Sequence, residues 1–240
     1  MRIVFPTLHV RESAQATPLA AACLAAMLHD RTGFDCILLD LFPDSPPESI
    51  IDRILNKSPD LVVIPLYTWN RATMLTVSRE LKRQVPAQLI LGGGPEATAD
   101  AAGVINEGRL DGAIRGEGEA TFLEVVQQLA ADKPLSLIPG LSLPQDGKVV
   151  DGPDRPPLDP DLLPSPWLTG ILTPQPGGLL WEVARGCRFD CSYCFDSRGN
   201  TSVSKLPAKR LAAELQMFRA AGVSQVWALD STFNFPAVRG

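Results

Sequence analysis

Short apolar runs recur along the first half of the chain, each followed by a stretch with helical spacing of apolar and polar positions. Residues 2–5 predict a buried strand ending at Pro6, followed by a polar loop over 7–17 that contains His9. Residues 18–28 combine strong helix formers with a proline in the first turn and Gly33 beyond the end, which predicts a helix. Further strands are predicted at 36–40, 60–64, 88–91 and around 113–115, with helices over about 48–56, 70–84 and 120–131. This alternation predicts an α/β fold with a Rossmann-like, doubly wound parallel sheet. Ligands of such sheets bind outside the carboxyl ends of the strands. Residues 7–11, 65–70, 92–96 and 116–119 occupy those ends.

The pattern then changes. Residues 141–150 alternate around Asp146 and Gly147, which predicts a β-hairpin. Residues 151–176 are rich in Pro and Asp and predict a linker with little regular structure. A strand over 179–184, a helix over about 207–221 and a strand over 224–230 close the pattern.

Composition narrows the functional classes. Of 240 residues, 45% are hydrophobic and 20% charged, which describes a globular chain. A net charge of −5 gives no basic footprint, so nucleic acid is not an expected partner. No apolar run reaches membrane-spanning length, and the N-terminus opens directly on a strand without the layout of a signal peptide. Five cysteines, three of them clustered, fit a reducing compartment better than a disulfide framework, so a cytoplasmic location is expected.

The cluster carries the chemistry. Cys187, Cys191 and Cys194 are spaced C-x3-C-x2-C on the loop after the 179–184 strand. A structural zinc site is closed by four ligands, and an electron-transfer iron–sulfur cluster also takes four cysteines. The other cysteines are Cys23 and Cys36, which read as packed core thiols, and the histidines are His9 and His29. Three thiolates would leave one iron open to an external ligand. A zinc knuckle with a distant fourth ligand and an incidental cysteine cluster are the blander alternatives.

This motif, with Tyr193 before its last cysteine, resembles that of the radical S-adenosylmethionine (SAM) enzymes. The entry over 182–187 resembles the members that carry an N-terminal cobalamin-binding domain. The segments 66–70, 91–96, 115–119 and 163–167 extend the resemblance, in this order, to nearly the whole chain. It implies a [4Fe–4S] cluster on Cys187, Cys191 and Cys194, with SAM on the fourth iron and Tyr193 beside the adenine. Asp230 lies in a segment resembling the one near the methionine part of SAM. Cobalamin contacts are implied for Tyr67, Trp69, Asn70, Gly92, Gly93, Gly94, Glu117 and Glu119. The glycines would make room for the nucleotide tail. A tight turn at 92–94, solvated carboxylates at Glu117 and Glu119, and an exposed strand-end loop at Asp230 are the simpler alternatives.

Two departures stand out. The cobalt-ligating D-x-H-x-x-G pattern is absent, and His9 lacks its Asp and Gly. Pro65 stands where relatives more often have Ser.

The implied organisation is a cobalamin-binding domain over 1–135, a hairpin and linker over 136–176, and the first strand–helix units of a radical SAM barrel over 177–240. A complete α/β barrel runs to about 250 residues, so the chain reads as truncated within that barrel. The implied activity is reductive cleavage of SAM to a 5′-deoxyadenosyl radical, with methyl transfer to an unactivated carbon. A small molecule or peptide would be the substrate, and flavodoxin or ferredoxin the electron donor. The alternatives are a radical cyclase or rearrangement enzyme that does not use methylcobalamin, and a non-catalytic cobalamin-binding module.

Overall fold

The computed structural model describes residues 1–194 and 202–233. By contacts, the chain divides into two compact units. One comprises Met1–Glu12 and Met27–Leu158, the other Ser13–Ala26 and Asp159–Gly240.

The first unit is built on β1 (Arg2–Leu8), β2 (Asp35–Leu41), β3 (Leu61–Pro65), β4 (Leu89–Gly93), β5 (Gly112–Ile114), β6 (Leu141–Gln145) and β7 (Lys148–Asp151). They form one sheet in the order β2-β1-β3-β4-β5-β6-β7. The first five are parallel, whereas β6 and β7 add antiparallel pairs beyond β5. The doubly wound α/β expectation holds. The hairpin is not a separate connector, because β6 pairs with β5 and continues the sheet.

All five residues of β3 are buried, as expected of a parallel strand covered on both faces. One face packs Val4, Leu8, Val62 and Ile64 against α2 (Pro47–Leu55), α3 (Arg71–Gln84) and α5 (Ala101–Gly108). On the other face Phe5 meets Phe122 of α6 (Gly118–Ala130) edge to face, with ring centroids 5.6 Å apart. Each such buried apolar side chain contributes roughly 1.5–3 kcal/mol. A short α4 (Pro95–Ala99) precedes α5.

Pro6 does not end β1. The pairing with β3 covers only Ile3 and Val4, so Pro6 lies beyond that ladder while the pairing with β2 runs on to Leu8. A proline's missing N–H matters only where a ladder bond would use it.

The second unit contains α1 (Leu19–Ala26), although this helix directly follows β1 in sequence. Buried residues lie all around it, so it is a core helix rather than an amphipathic one. Leu19 and Cys23 pack with Trp167, Leu179 and Phe218. Strands β8 (Gly177–Trp181) and β11 (Val223–Ala228) pair in parallel, and α7 (Ala208–Ala220) precedes β11. The expected strand over 179–184 breaks after Trp181. Its continuation, β9 (Ala184–Arg185), pairs instead with β10 (Ser204–Lys205).

The proline-rich stretch has little regular structure, with one short 3-10 turn at Pro160–Leu162, yet it is packed. Leu163, Ser165 and Trp167 are buried. Ser165 and the Trp181 indole donate hydrogen bonds of 2.5 and 2.6 Å to the fully buried Glu214 carboxylate. Arg210 donates to the same carboxylate at 2.9 Å and to the Leu163 carbonyl at 2.8 Å. A buried carboxylate is tolerated when its oxygens are satisfied in this way.

Candidate functional site

The loop after β3 is shaped by Asn70. Fully buried, it accepts the Tyr67 N–H at 2.8 Å and donates to the Pro65 carbonyl at 3.0 Å. This arrests the chain in a tight turn and presents Tyr67 and Trp69 as a parallel stack, with centroids 4.5 Å apart. Trp69 is 58% exposed, a large aromatic face open to a ligand. Asn70 itself is a support of the loop.

Neighbouring strand ends are fastened to one another. Thr68 donates to Glu96 at 2.9 Å, and Arg71 binds Glu96, Asp100 and Glu107 at 3.1–3.2 Å. Burial alone would lower the Arg71 pKa, but these carboxylate hydrogen bonds outweigh it and the net shift is upward. Thr98 donates to the Gly94 carbonyl at 2.9 Å and accepts the Gly116 N–H at 3.0 Å, which joins the turns after β4 and β5. Sequence reasoning did not single out Arg71 or Thr98. Their roles depend on residues far away in the chain.

The three glycines have three different surroundings. A Cβ on Gly92 would lie 2.8 Å from Leu110 and 3.1 Å from Leu66, so close packing excludes it. Gly94 has φ +99°, and a Cβ there would be 2.8 Å from the Leu66 carbonyl oxygen. Gly93 alone has room, with its nearest neighbour at 3.9 Å. Gly92 and Gly93 are part of β4 rather than of the turn.

Glu117 precedes α6 and Glu119 lies in its first turn, where the helix dipole favours a carboxylate. Glu119 is only 6% exposed, so it is not the solvated carboxylate of the simpler reading. At the end of β1, His9 is committed: its Nε2 lies 2.6 Å from Asp40, and the ring stacks on Phe42. Thr7, two residues before, is buried, and its hydroxyl has no hydrogen-bond partner among the described residues.

The cysteine loop is organised at its entrance. The Val183 and Ala184 N–H groups donate to Asp230 Oδ1 at 3.1 and 3.2 Å, tying the end of β8 to the end of β11. Arg185 pairs with Glu182, both nitrogens donating at 3.0 Å. Gly186 has φ +89°, and a Cβ there would be 2.3 Å from the Ser202 carbonyl oxygen, so the entry turn requires glycine.

Beyond that turn Cys187, Cys191 and Cys194 form no disulfide, and Cys194 is exposed. Tyr193 is 90% exposed, and a hydrogen bond with Cys191 raises its phenol pKa. Among the described residues no three Cys, His, Asp or Glu side chains converge closely enough to hold a metal ion. The donor set suits an iron–sulfur cluster, but in this structure the loop shares the cysteines without gathering them.

Residues 13–126 match the B12 binding domain family. The chain is 30% identical over 209 residues to the cobalamin-dependent radical SAM methyltransferase TokK of Streptomyces tokunonensis, covering 81% of this chain and 30% of that protein. It is also 30% identical over 233 residues to an uncharacterized methyltransferase of Pyrococcus horikoshii, covering 90% of this chain and 49% of that one. The chain therefore spans less than half the length of these curated relatives.

Two solved structures share the fold at 17% identity. The radical SAM methyltransferase TsrM of Kitasatospora setae superposes with a TM-score of 0.74, over 99% of this chain and 49% of its own. The cobalamin-dependent radical enzyme OxsB superposes with a TM-score of 0.78, over 96% of this chain and 34% of its own. Over most of its length the chain is similar to cobalamin-dependent radical SAM enzymes, and residues 13–126 match the B12 binding domain.

Proposed function

We propose that this chain carries the cobalamin-binding domain and the cluster-binding loop of a radical SAM methyltransferase. The observation that carries the proposal is the strand-end cradle: the Tyr67–Trp69 stack and the open Gly93, both within the B12-binding match, and the Thr7 hydroxyl ahead of it, buried and without a hydrogen-bond partner among the described residues. Cobalamin would be held between these groups. Asn70 and Gly94 shape the loops, Gly92 allows the close packing beneath them, and Glu117 and Glu119 border the cradle at α6.

Cys187, Cys191 and Cys194 would hold a [4Fe–4S] cluster, with Tyr193 beside SAM and Asp230 holding the strand end that feeds the loop. When bound, cobalamin supplies a methyl carrier, and the cluster supplies the electron that cleaves SAM. The protein's own contribution is to bind, to orient and to exclude water. A small molecule or peptide is the proposed substrate, and a flavodoxin- or ferredoxin-type protein the proposed reductant. A cytoplasmic location accords with this. No helix among the described residues is long and apolar enough to cross a membrane.

A cyclase reading has one observation in its favour. Anaerobic magnesium-protoporphyrin IX monomethyl ester cyclases match at 26% and 28% identity. The deciding experiment adds cobalamin and methyl-labelled SAM to the anaerobically reconstituted chain. Bound cobalamin that acquires the label supports the methyltransferase. Bound cobalamin that stays unlabelled while 5′-deoxyadenosine forms supports the cyclase.

A further inference from the structure

We propose that the Thr7 hydroxyl hydrogen-bonds the nucleotide tail of cobalamin, a contact made from the end of β1 on the α6 face of the sheet. The inference rests on the cobalamin reading above. Side chains alternate along a strand. Val4 and Leu8 of β1 join the core that includes α2 and α3, so Ile3, Phe5 and Thr7 face the other way, where Phe5 meets Phe122 of α6. Thr7 is 8% exposed, and its Oγ1 is buried with no hydrogen-bond partner among the described residues. An unmade hydrogen bond from a buried hydroxyl is a cost that valine, of the same shape and with at least equal strand propensity, would not carry.

The neighbouring strand ends explain why the cost is kept. Val62, Ile64 and Leu66 belong to the α2–α3 side, so Pro65 lies on the Thr7 face. Gly92 packs against Leu66 and Leu110 of the same core, so Gly93 also lies on the Thr7 face, and it is open there. Thr7, next to the last residue of β1, and Pro65 and Gly93, the last of β3 and β4, thus share one face with no large side chain among them.

Most other polar groups near these ends are already engaged. The Pro65 carbonyl accepts from Asn70, Asp40 Oδ1 is bonded to His9, and Pro65 has no N–H. The result is a floor of small residues on which the Thr7 hydroxyl has no hydrogen-bond partner among the described residues. That fits a flat heterocycle joined to a ribose phosphate, which is the tail of cobalamin. Thr7 therefore supplies a hydroxyl that Pro65 cannot.

The test measures equilibrium binding of hydroxocobalamin and of cobinamide, which lacks the nucleotide tail, to the 240-residue chain, together with the melting temperature of the unliganded protein. Thr7→Val should weaken cobalamin binding about three- to tenfold, the range of one neutral hydrogen bond. It should leave cobinamide binding unchanged and keep or raise the melting temperature. Thr7→Ser should retain wild-type affinity.

Equal cobalamin affinity in wild type and Thr7→Val, or equal losses for the two ligands, would overturn the assignment. Gly93→Ala provides a second readout should Thr7→Val not fold. By partly filling the floor it should weaken cobalamin and spare cobinamide, and an equal effect on both again overturns the proposal. Failure of the wild-type chain to bind either ligand would instead refute the cobalamin reading and this inference with it.

Discussion

The strand-end cradle of the first unit and the cysteine loop of the second represent opposite ways of building a site. In the cradle, each loop is held by a residue distant in sequence. Arg71 reaches Glu96, Asp100 and Glu107, and Thr98 joins the turns at Gly94 and Gly116. In the cysteine loop, the ties among the described residues lie mainly at the entrance, at Asp230, Gly186 and the Glu182–Arg185 pair, with the Cys194 N–H donating to the Cys191 carbonyl inside it. The three thiols lie close in sequence but do not converge. At a cluster site, ligation itself supplies ordering energy. A cradle for a large organic cofactor benefits from being built beforehand, because ordering loops on binding costs affinity.

The largest expected effect breaks the cysteine side of this contrast. Replacing Cys187, Cys191 or Cys194 by Ala should abolish the iron–sulfur absorbance of the anaerobically reconstituted chain. Wild type should carry about four irons. Cys23→Ala should retain the absorbance, since Cys23 is a buried core thiol packed with Trp167 and Phe218. Equal loss in Cys23→Ala would contradict the assignment.

Next in size is the support behind the loop. Glu214→Leu leaves Arg210, the Trp181 indole and Ser165 without their shared buried acceptor, at a cost of about 3–5 kcal/mol. Chemical denaturation should show the second unit unfolding earlier. A change below about 1 kcal/mol would show the network to be dispensable.

On the cradle side, Asn70→Ala removes two hydrogen bonds to the backbone of the β3 loop and should cost about 2 kcal/mol. Because the Tyr67–Trp69 stack rides on that loop, cobalamin binding should weaken as well. Trp69→Ala, at an exposed position, should weaken binding with little change in stability. Matching losses of stability in the two variants would remove the distinction between support and contact.

The smallest effect depends on pH. Burial first, and the charge of Asp35 second, push the Cys36 thiol from its ordinary value of 9.0 up to about 11. A pKa raised in the folded state means that the unfolded chain loses its proton first as pH rises. The Cys36 contribution to stability is therefore fully present below about pH 9 and is lost between about pH 9 and 11. At pH 8 an alkylating reagent should modify the exposed Cys194 well before Cys36, and mass spectrometry of the labelled chain would show the order.

Much of the fold was legible because its signals are local. The strands and helices of the first unit follow from apolar runs and helical spacing, and the turn at Asp146 and Gly147 from its residue types. The cysteine motif was legible for the same reason, since three thiols within eight residues need no tertiary information to be recognised.

Other features had no local signal. Nothing in residues 18–28 says that α1 belongs with Trp167 and Phe218, since an Ala-rich helix can be buried against many partners. The hairpin's place beside β5 depends on a free sheet edge that sequence does not display. The proline-rich stretch reads as a linker because its buried anchors, Leu163, Ser165 and Trp167, have no period.

Sequence by itself determined which residue types are present and how they are spaced: the alternating α/β pattern, the three cysteines, the glycine run and the lack of a histidine motif for cobalt. Tertiary structure decided what each one does. Three successive glycines read alike in sequence, yet one avoids Leu110, one lies open, and one turns against the Leu66 carbonyl. Asn70 and Trp69 are adjacent, yet one is sealed beneath the loop and the other stands open above it. Local preferences depend on a residue and its near neighbours. Burial and hydrogen-bond partnership depend on which distant segments the fold brings alongside.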